Sequence, residues 1–131
     1  MNSPTVPISW GELFDKITIL QIKLNTLISK SALDNVSREH DLLQAIFTKY
    51  FPKNKQASQL LLHLQQINQQ LWDIEDRIRD KERDKVFDDE FVQLARSVYI
   101  TNDERSRVKR KINDVFGSDL IEEKSYADYS L

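Results

Sequence analysis

The residues with most chemistry to offer lie where an apolar pattern breaks. In "SVYITNDERSRVKRKIN", residues 97–113, apolar positions recur at helical spacing until Thr101, Asn102 and Arg105 interrupt them, then resume in phase. Arginine at such a position is a permanent cation with five N–H donors, able to fork onto a carboxylate or a phosphate. Lys109 follows one turn later, and 105–111 carries five basic residues. An amide beside them, Asn102, can orient what they hold. The chemistry this pattern suits is recognition of an anion.

Other candidates carry less. Ser97 and Tyr99 have no base placed for them, and His40 and His63 are isolated from each other and from carboxylates at ligand spacing. Asp73, Asp76 and Asp80, with Glu75 nearby, share helical spacing that a metal could use, but basic residues interleave and a solvated salt-bridge face is the preferred reading. No metal or cofactor is expected. There is no cysteine, which excludes a thiolate zinc site, a disulfide or a cysteine nucleophile.

The elements that must position these residues are all helices. Only two glycines and three prolines occur in 131 residues, and the prolines fall outside the long periodic stretches. A first helix starts at the Ser9-x-x-Glu12 capping box, with Ile8 and Leu13 as its hydrophobic staple. Its stripe is Leu13, Ile17, Leu20, Leu24 and Leu27, with Glu12, Lys16 and Lys23 along one flank and Ile19 and Ile22 on the far face. A polar turn near "SKSALDN" leads to a second helix over about 35–51, with Leu42, Leu43, Ile46, Phe47 and Tyr50 on its apolar face and Pro52 as its stop. The third, about 56–84, keeps a three-four alternation through Ala57, Leu60, Leu64, Ile67, Leu71, Ile74 and Ile78, and spans roughly 40 Å.

The fourth helix, about 89–116, has a seam of Phe91, Leu94, Val98, Thr101, Arg105, Val108, Ile112 and Val115, an aspartate cap at 88 or 89 and Gly117 as C-cap. Thr101 and Glu104 would make a capping box if the helix broke there. A break has no reason to preserve the seven-residue phase, so one long helix is the favoured reading. The fold class is therefore all-α, an antiparallel helical bundle in one domain over 1–131. Residues 8–117 form its helical core, led by the hairpin of the third and fourth helices, and 118–131 an irregular tail.

Hairpin geometry brings the polar residues together. With a turn about residue 86, facing positions sum to about 173, which places Arg105 near Asn68, Asn102 near Leu71 and Trp72, and Val98 near Glu75. From 56 to 72 the third helix has no charged residue, so it offers Arg105 and Lys109 no acid. A buried arginine without a counter-charge costs several kcal/mol, roughly. Compensation must come from Glu12, Glu75, the tail acids Glu122 and Glu123, or an anionic ligand. A ligand site would combine Lys16, Lys23, Asn68, Trp72, Glu75, Asn102, Arg105 and Lys109. The bland alternative is a closed structural network of the same residues.

Four segments also carry a resemblance. "PISWGELFDKITILQIK", "LWDIEDRIRDKE", "LARSVYITNDERSRVKRKIN" and "EEKSY" resemble, in that order and over about 7–126 with 30–58 unmatched, a small bacterial family of uncharacterised domains of unknown function. The resemblance implies a bacterial origin and a loose association with surface-polysaccharide assembly, and supplies no activity. Its polar motif positions fall at Glu12, Asp15, Lys16, Lys23, Asp73, Glu75, Asp76, Arg79, Asn102, Asp103, Arg105, Lys109, Asn113, Glu123 and Lys124.

Composition limits the partners. A net charge of −2 argues against a dedicated nucleic-acid binder, and the basic run fans around its helix rather than along one face. No window approaches 18 apolar residues, so no membrane span is expected, and "MNSPTVPIS" lacks the regions of a signal peptide, so a cytoplasmic location is. The partners to expect are an anionic small molecule or, through Ile19, Ile22 and the strict heptad of the third helix, a second copy of the chain or a partner helix.

Overall fold

The computed structural model describes residues 2–51 and 53–129, and among them the chain is all-α. Four helices follow one another: α1 (Trp10–Thr26), α2 (Lys30–Tyr50), α3 (Lys55–Arg83) and α4 (Asp89–Phe116). Each begins at a residue whose side chain accepts an N–H of the first turn. Ser9 accepts from Glu12, Ser29 from Ala32, Asn54 from Ala57, and Asp88 from Phe91. The capping box of α1 is only half made, because Glu12 turns its carboxylate to Lys109 on α4. Beside that cap Ile8 stays exposed while Leu13 is buried, and Trp10 packs on Phe14 and Phe116.

Helix α4 is unbroken from 89 to 116, so Thr101–Arg105 is not a chain break. The preserved phase outweighs the local capping signal, and Thr101 is buried on the seam. Two Schellman-type turns close the long helices. Gly117 takes the left-handed conformation after α4, with Ser118 N–H on the Asn113 carbonyl, while after α3 it is Lys85 that sits at φ 56°.

Two expectations about α2 are corrected. "SKSALDN" is not a turn: Ser29 caps a helix that starts at Lys30, so those residues form its first turns. Its apolar face is also less buried than its periodicity implies. Phe47 is buried, whereas Leu42, Ile46 and Tyr50 are exposed, because α2 packs against α1 and not against α3 or α4. Pro52, expected to stop this helix, lies outside the described residues, as do tail residues Ser130 and Leu131.

Helix α1 is the element that packs against all three others. The core gathers Leu13, Phe14 and Ile17 from α1, Phe47 from α2, Leu60, Leu64 and Ile67 from α3, and Val108 and Ile112 from α4. Aromatic rings seal one end, with Phe14 between Phe47, Phe51 and Phe116. Of the two isoleucines expected on the far face, Ile22 is buried within the chain and Ile19 is half-buried. At the end of α4's seam, Val115 is exposed and Phe116 packs on the core in its place. Residues 118–129 carry no helix or strand and lie along α4, tied by Glu122 to Lys109 and by Glu123 to Arg110.

Candidate functional site

The site begins with a glycine. A Cβ on Gly11 would stand 2.6 Å from the Lys109 carbonyl oxygen and 3.0 Å from Asn113 Oδ1, so only glycine permits this approach of α1 to α4. The Gly11 N–H, free in the first helical turn, donates to Asn113 Oδ1 at 2.7 Å. One turn along α1, Asp15 thereby reaches Arg105. Gly11, Asp15, Thr18 and Ile22 recur at steps of four, three and four, and all are buried. This second stripe of α1 faces the hairpin.

Asp15 is 2% exposed and carries the site's buried charge. Arg105 forks onto it: Nε donates to Oδ1 at 2.9 Å and the terminal amino group donates to Oδ2. Asn68 Nδ2 donates to Asp15 Oδ1 at 2.9 Å and to Thr18 Oγ1 at 2.8 Å, and the Thr18 hydroxyl donates to the Asp15 carbonyl. Lys109 Nζ stands 3.7 Å from Asp15, 3.0 Å from Glu12 and 3.1 Å from Glu122. A carboxylate taken from water is stable here because a planar bidentate cation, an amide and a second cation replace its hydration. The Asp15 hydrogen bond holds the Arg105 guanidinium above its ordinary pKa. Burial pushes the Lys109 ammonium down, but the Glu12 hydrogen bond and the charges of Asp15 and Glu122 outweigh it and raise it. The Glu122 carboxyl is lowered by hydrogen bonds from Lys124 and Lys109.

The expected site residues do not form one pocket. They divide among three clefts, and Arg105 lines all three. Asn68, Trp72, Glu75 and Asn102 share a groove of about 350 Å³ between α3 and α4, as the facing positions imply. There Glu75 pairs with Arg79 at 2.6 Å and not with Arg105, because the next turn of its own helix is nearer. The Trp72 indole Nε1 is buried without a hydrogen-bond partner among the described residues. Lys16 and Lys23 line a smaller cleft with Glu12, Asp15, Glu39 and Arg105, in which Lys16 meets Glu39 at 3.8 Å. Lys109 lines the third.

That third cleft, about 490 Å³, lies between α4 and the tail. Arg105, Lys109 and Lys124 line it together with Asn102, Asp103 and Ser106. So do Tyr99, Tyr126 and Tyr129, three of the chain's four tyrosines. Tyr129 packs edge-on against Tyr99 at 5.3 Å, and its hydrogen bond to Asp103 raises its phenol above the ordinary tyrosine range. Lys124 lies over the Tyr126 ring at 5.9 Å. Ser97 donates to the Gln93 carbonyl at 2.8 Å, a local use of its hydroxyl. Among the described residues, no three histidine or acidic side chains converge as metal ligands, and no helix is long and apolar enough to cross a membrane.

Sequence reasoning placed Arg105 in the interior and Glu12 and Glu122 as partners for the cations, but missed Asp15 as the acid Arg105 holds. The signal was present in the Gly11–Asp15–Thr18–Ile22 spacing, where a glycine inside a helix marks a close approach. It missed Tyr126 and Tyr129 because the tail has no periodicity to give them a direction.

One comparison gives a family, and none gives an activity. The model of a family of unknown function, DUF6165, matches residues 4–130, and the chain belongs to that family. No curated protein and no solved structure matches the chain.

Proposed function

We propose that this protein binds a small anionic molecule in the cleft between α4 and the C-terminal tail, with Arg105 as the principal contact. The observation that carries the reading is the convergence, on one cleft of about 490 Å³, of two lysines and three tyrosines around the Arg105 guanidinium, which Asp15 holds. The volume is that of small-molecule pockets in general. Arg105 has five N–H donors; two go to Asp15 and one to Asn102, which leaves two that a ligand can use. A fixed guanidinium loses little freedom when it meets an anion, so its hydrogen bonds cost less to form.

The test is a titration of the protein with phenyl phosphate, followed by amide chemical shifts. Saturable shifts at Tyr99, Asn102, Ser106, Tyr126 and Tyr129 support the reading. Shifts confined to Asn68, Trp72 and Arg79 would move the site to the α3–α4 groove, and no saturable shift would remove it.

A second reading, a homodimer or adaptor with a purely structural polar cluster, is favoured by Leu42, Ile46 and Tyr50. They are 63%, 49% and 56% exposed at i, i+4 and i+8 on α2, one apolar stripe facing solvent. Light scattering across protein concentration separates the two, since a dimer through α2 doubles in mass and Ile46→Glu reverses it. A cytoplasmic location, a bacterial origin and a link to surface-polysaccharide assembly complete the proposal, and the anion remains its testable part.

A further inference from the structure

The tail brings its own anion to the site. Glu122 bridges two lysines, one oxygen 3.1 Å from Lys109 Nζ and the other 2.7 Å from Lys124 Nζ. Both lysines line the α4–tail cleft, and both also line a neighbouring depression with Glu122, Glu123 and Arg110. Two properties make this contact displaceable. The Glu122 side chain is 44% exposed, so it returns to water at little cost. The described backbone hydrogen bonds end at Ser118, and beyond it the tail is tied down through side chains: Glu122, Glu123 on Arg110, and Tyr129 on Asp103 and Tyr99. An element attached in this way can shift without breaking a helix or a sheet.

Resting on the reading above, we propose that Glu122 is an internal competitor for the ligand's anionic group, and that the ligand is a phosphate monoester carrying a flat ring. The group that matches Arg105, Lys109 and Lys124 together has three acceptor oxygens, which a terminal phosphate has and a carboxylate lacks. The ring is matched by the tyrosine faces, which cover planar groups at small entropic cost. When phosphate enters, the lysines turn from Glu122 to the phosphate oxygens, Glu122 goes into solvent, and the tail resettles over the ring. Glu12 and Asp15 stay in place, because Arg105 and Lys109 keep their α1 partners throughout.

The competition sets the measurable effect. If Glu122 occupies the lysines most of the time, the apparent affinity is reduced by the fraction of molecules in which they are free. Calorimetric titration with phenyl phosphate compares the unaltered protein with Glu122→Gln and with Glu123→Gln. The second variant removes a tail carboxylate that holds Arg110 and neither lysine, and so controls for tail loosening and net charge. Glu122→Gln should tighten phenyl phosphate about tenfold, and Glu123→Gln should change it by less than about twofold. Inorganic phosphate should gain from Glu122→Gln as well, yet bind more weakly than phenyl phosphate in every form. Unchanged or weaker binding by Glu122→Gln, or equal tightening by both variants, would overturn the competition while leaving the anion site standing. Binding by none of the three proteins would overturn the site itself.

Discussion

The α3–α4 hairpin is two structures along one pair of helices. In the half that α1 crosses, Ala57, Leu60, Leu64 and Ile67 on α3 and Val108 and Ile112 on α4 are buried, and the polar residues among them are paired with α1. Towards the turn the same heptad continues through Leu71, Ile74 and Ile78, but these are only half-buried, Phe87 is 56% exposed, and Leu94 of α4 is the buried exception. There the ion pairs, such as Arg77–Glu90 and Arg83–Asp80, are surface pairs. The period of a helix says which face is apolar. A third helix decides whether that face becomes a core, and whether a charge on it becomes a site.

The sharpest way to break the contrast is to remove the buried charge. Asp15→Ala leaves Arg105 and Asn68 without their partner, and should cost about 3–5 kcal/mol of unfolding free energy. The Asp15→Leu/Arg105→Met double variant removes both charges and should recover most of that. Denaturant unfolding of the single and double variants checks it, and equal losses in both would show that the pair is not coupled.

Gly11→Ala comes next. Its methyl would meet the Lys109 carbonyl, and the required shift of α1 should cost about 1–3 kcal/mol. A neutral Gly11→Ala would mean that α1 stands further from α4. In the turn half, Lys85→Gly should instead stabilise by about 1 kcal/mol, by relieving a left-handed conformation that a side chain disfavours.

Acid should act on the tail through Glu122. The folded Glu122 carboxyl lies below its ordinary value, held by Lys124 and Lys109, with Glu12 and Asp15 also facing Lys109. Its contribution to tail attachment is therefore complete above the ordinary glutamate pKa and lost as pH falls through the lowered one. Tyr126 and Tyr129 signals should move in that acid window while helix content is unchanged; loss of helix at the same pH would show that the tail is not a separate element. The smallest effect belongs to Arg77→Ala, an exposed pair whose loss should leave the melting temperature unchanged within error.

The fold was largely legible because helix periodicity survives interruption: Thr101, Asn102 and Arg105 break the composition of α4 but not its phase. The facing of Arg105 with Asn68 followed from the hairpin alone, and the two share Asp15. What was not legible depended on direction. Which side of α1 meets α4 decides between Glu12 and Asp15, and the register of the hairpin does not contain that information. Leu42, Ile46 and Tyr50 mark the same limit on α2, since their spacing names an apolar face that the packing of α2 on α1 leaves largely exposed.

The central claim is that Arg105 is held by Asp15 in order to present a cation to the α4–tail cleft. Melting of the unaltered protein and of Asp15→Leu/Arg105→Met, with and without phenyl phosphate, tests it most directly, because a ligand that binds the native state raises the midpoint. The account predicts a rise for the unaltered protein and none for the double variant, which should melt close to the unaltered protein when no ligand is added. A double variant that folds and keeps the full rise would contradict it.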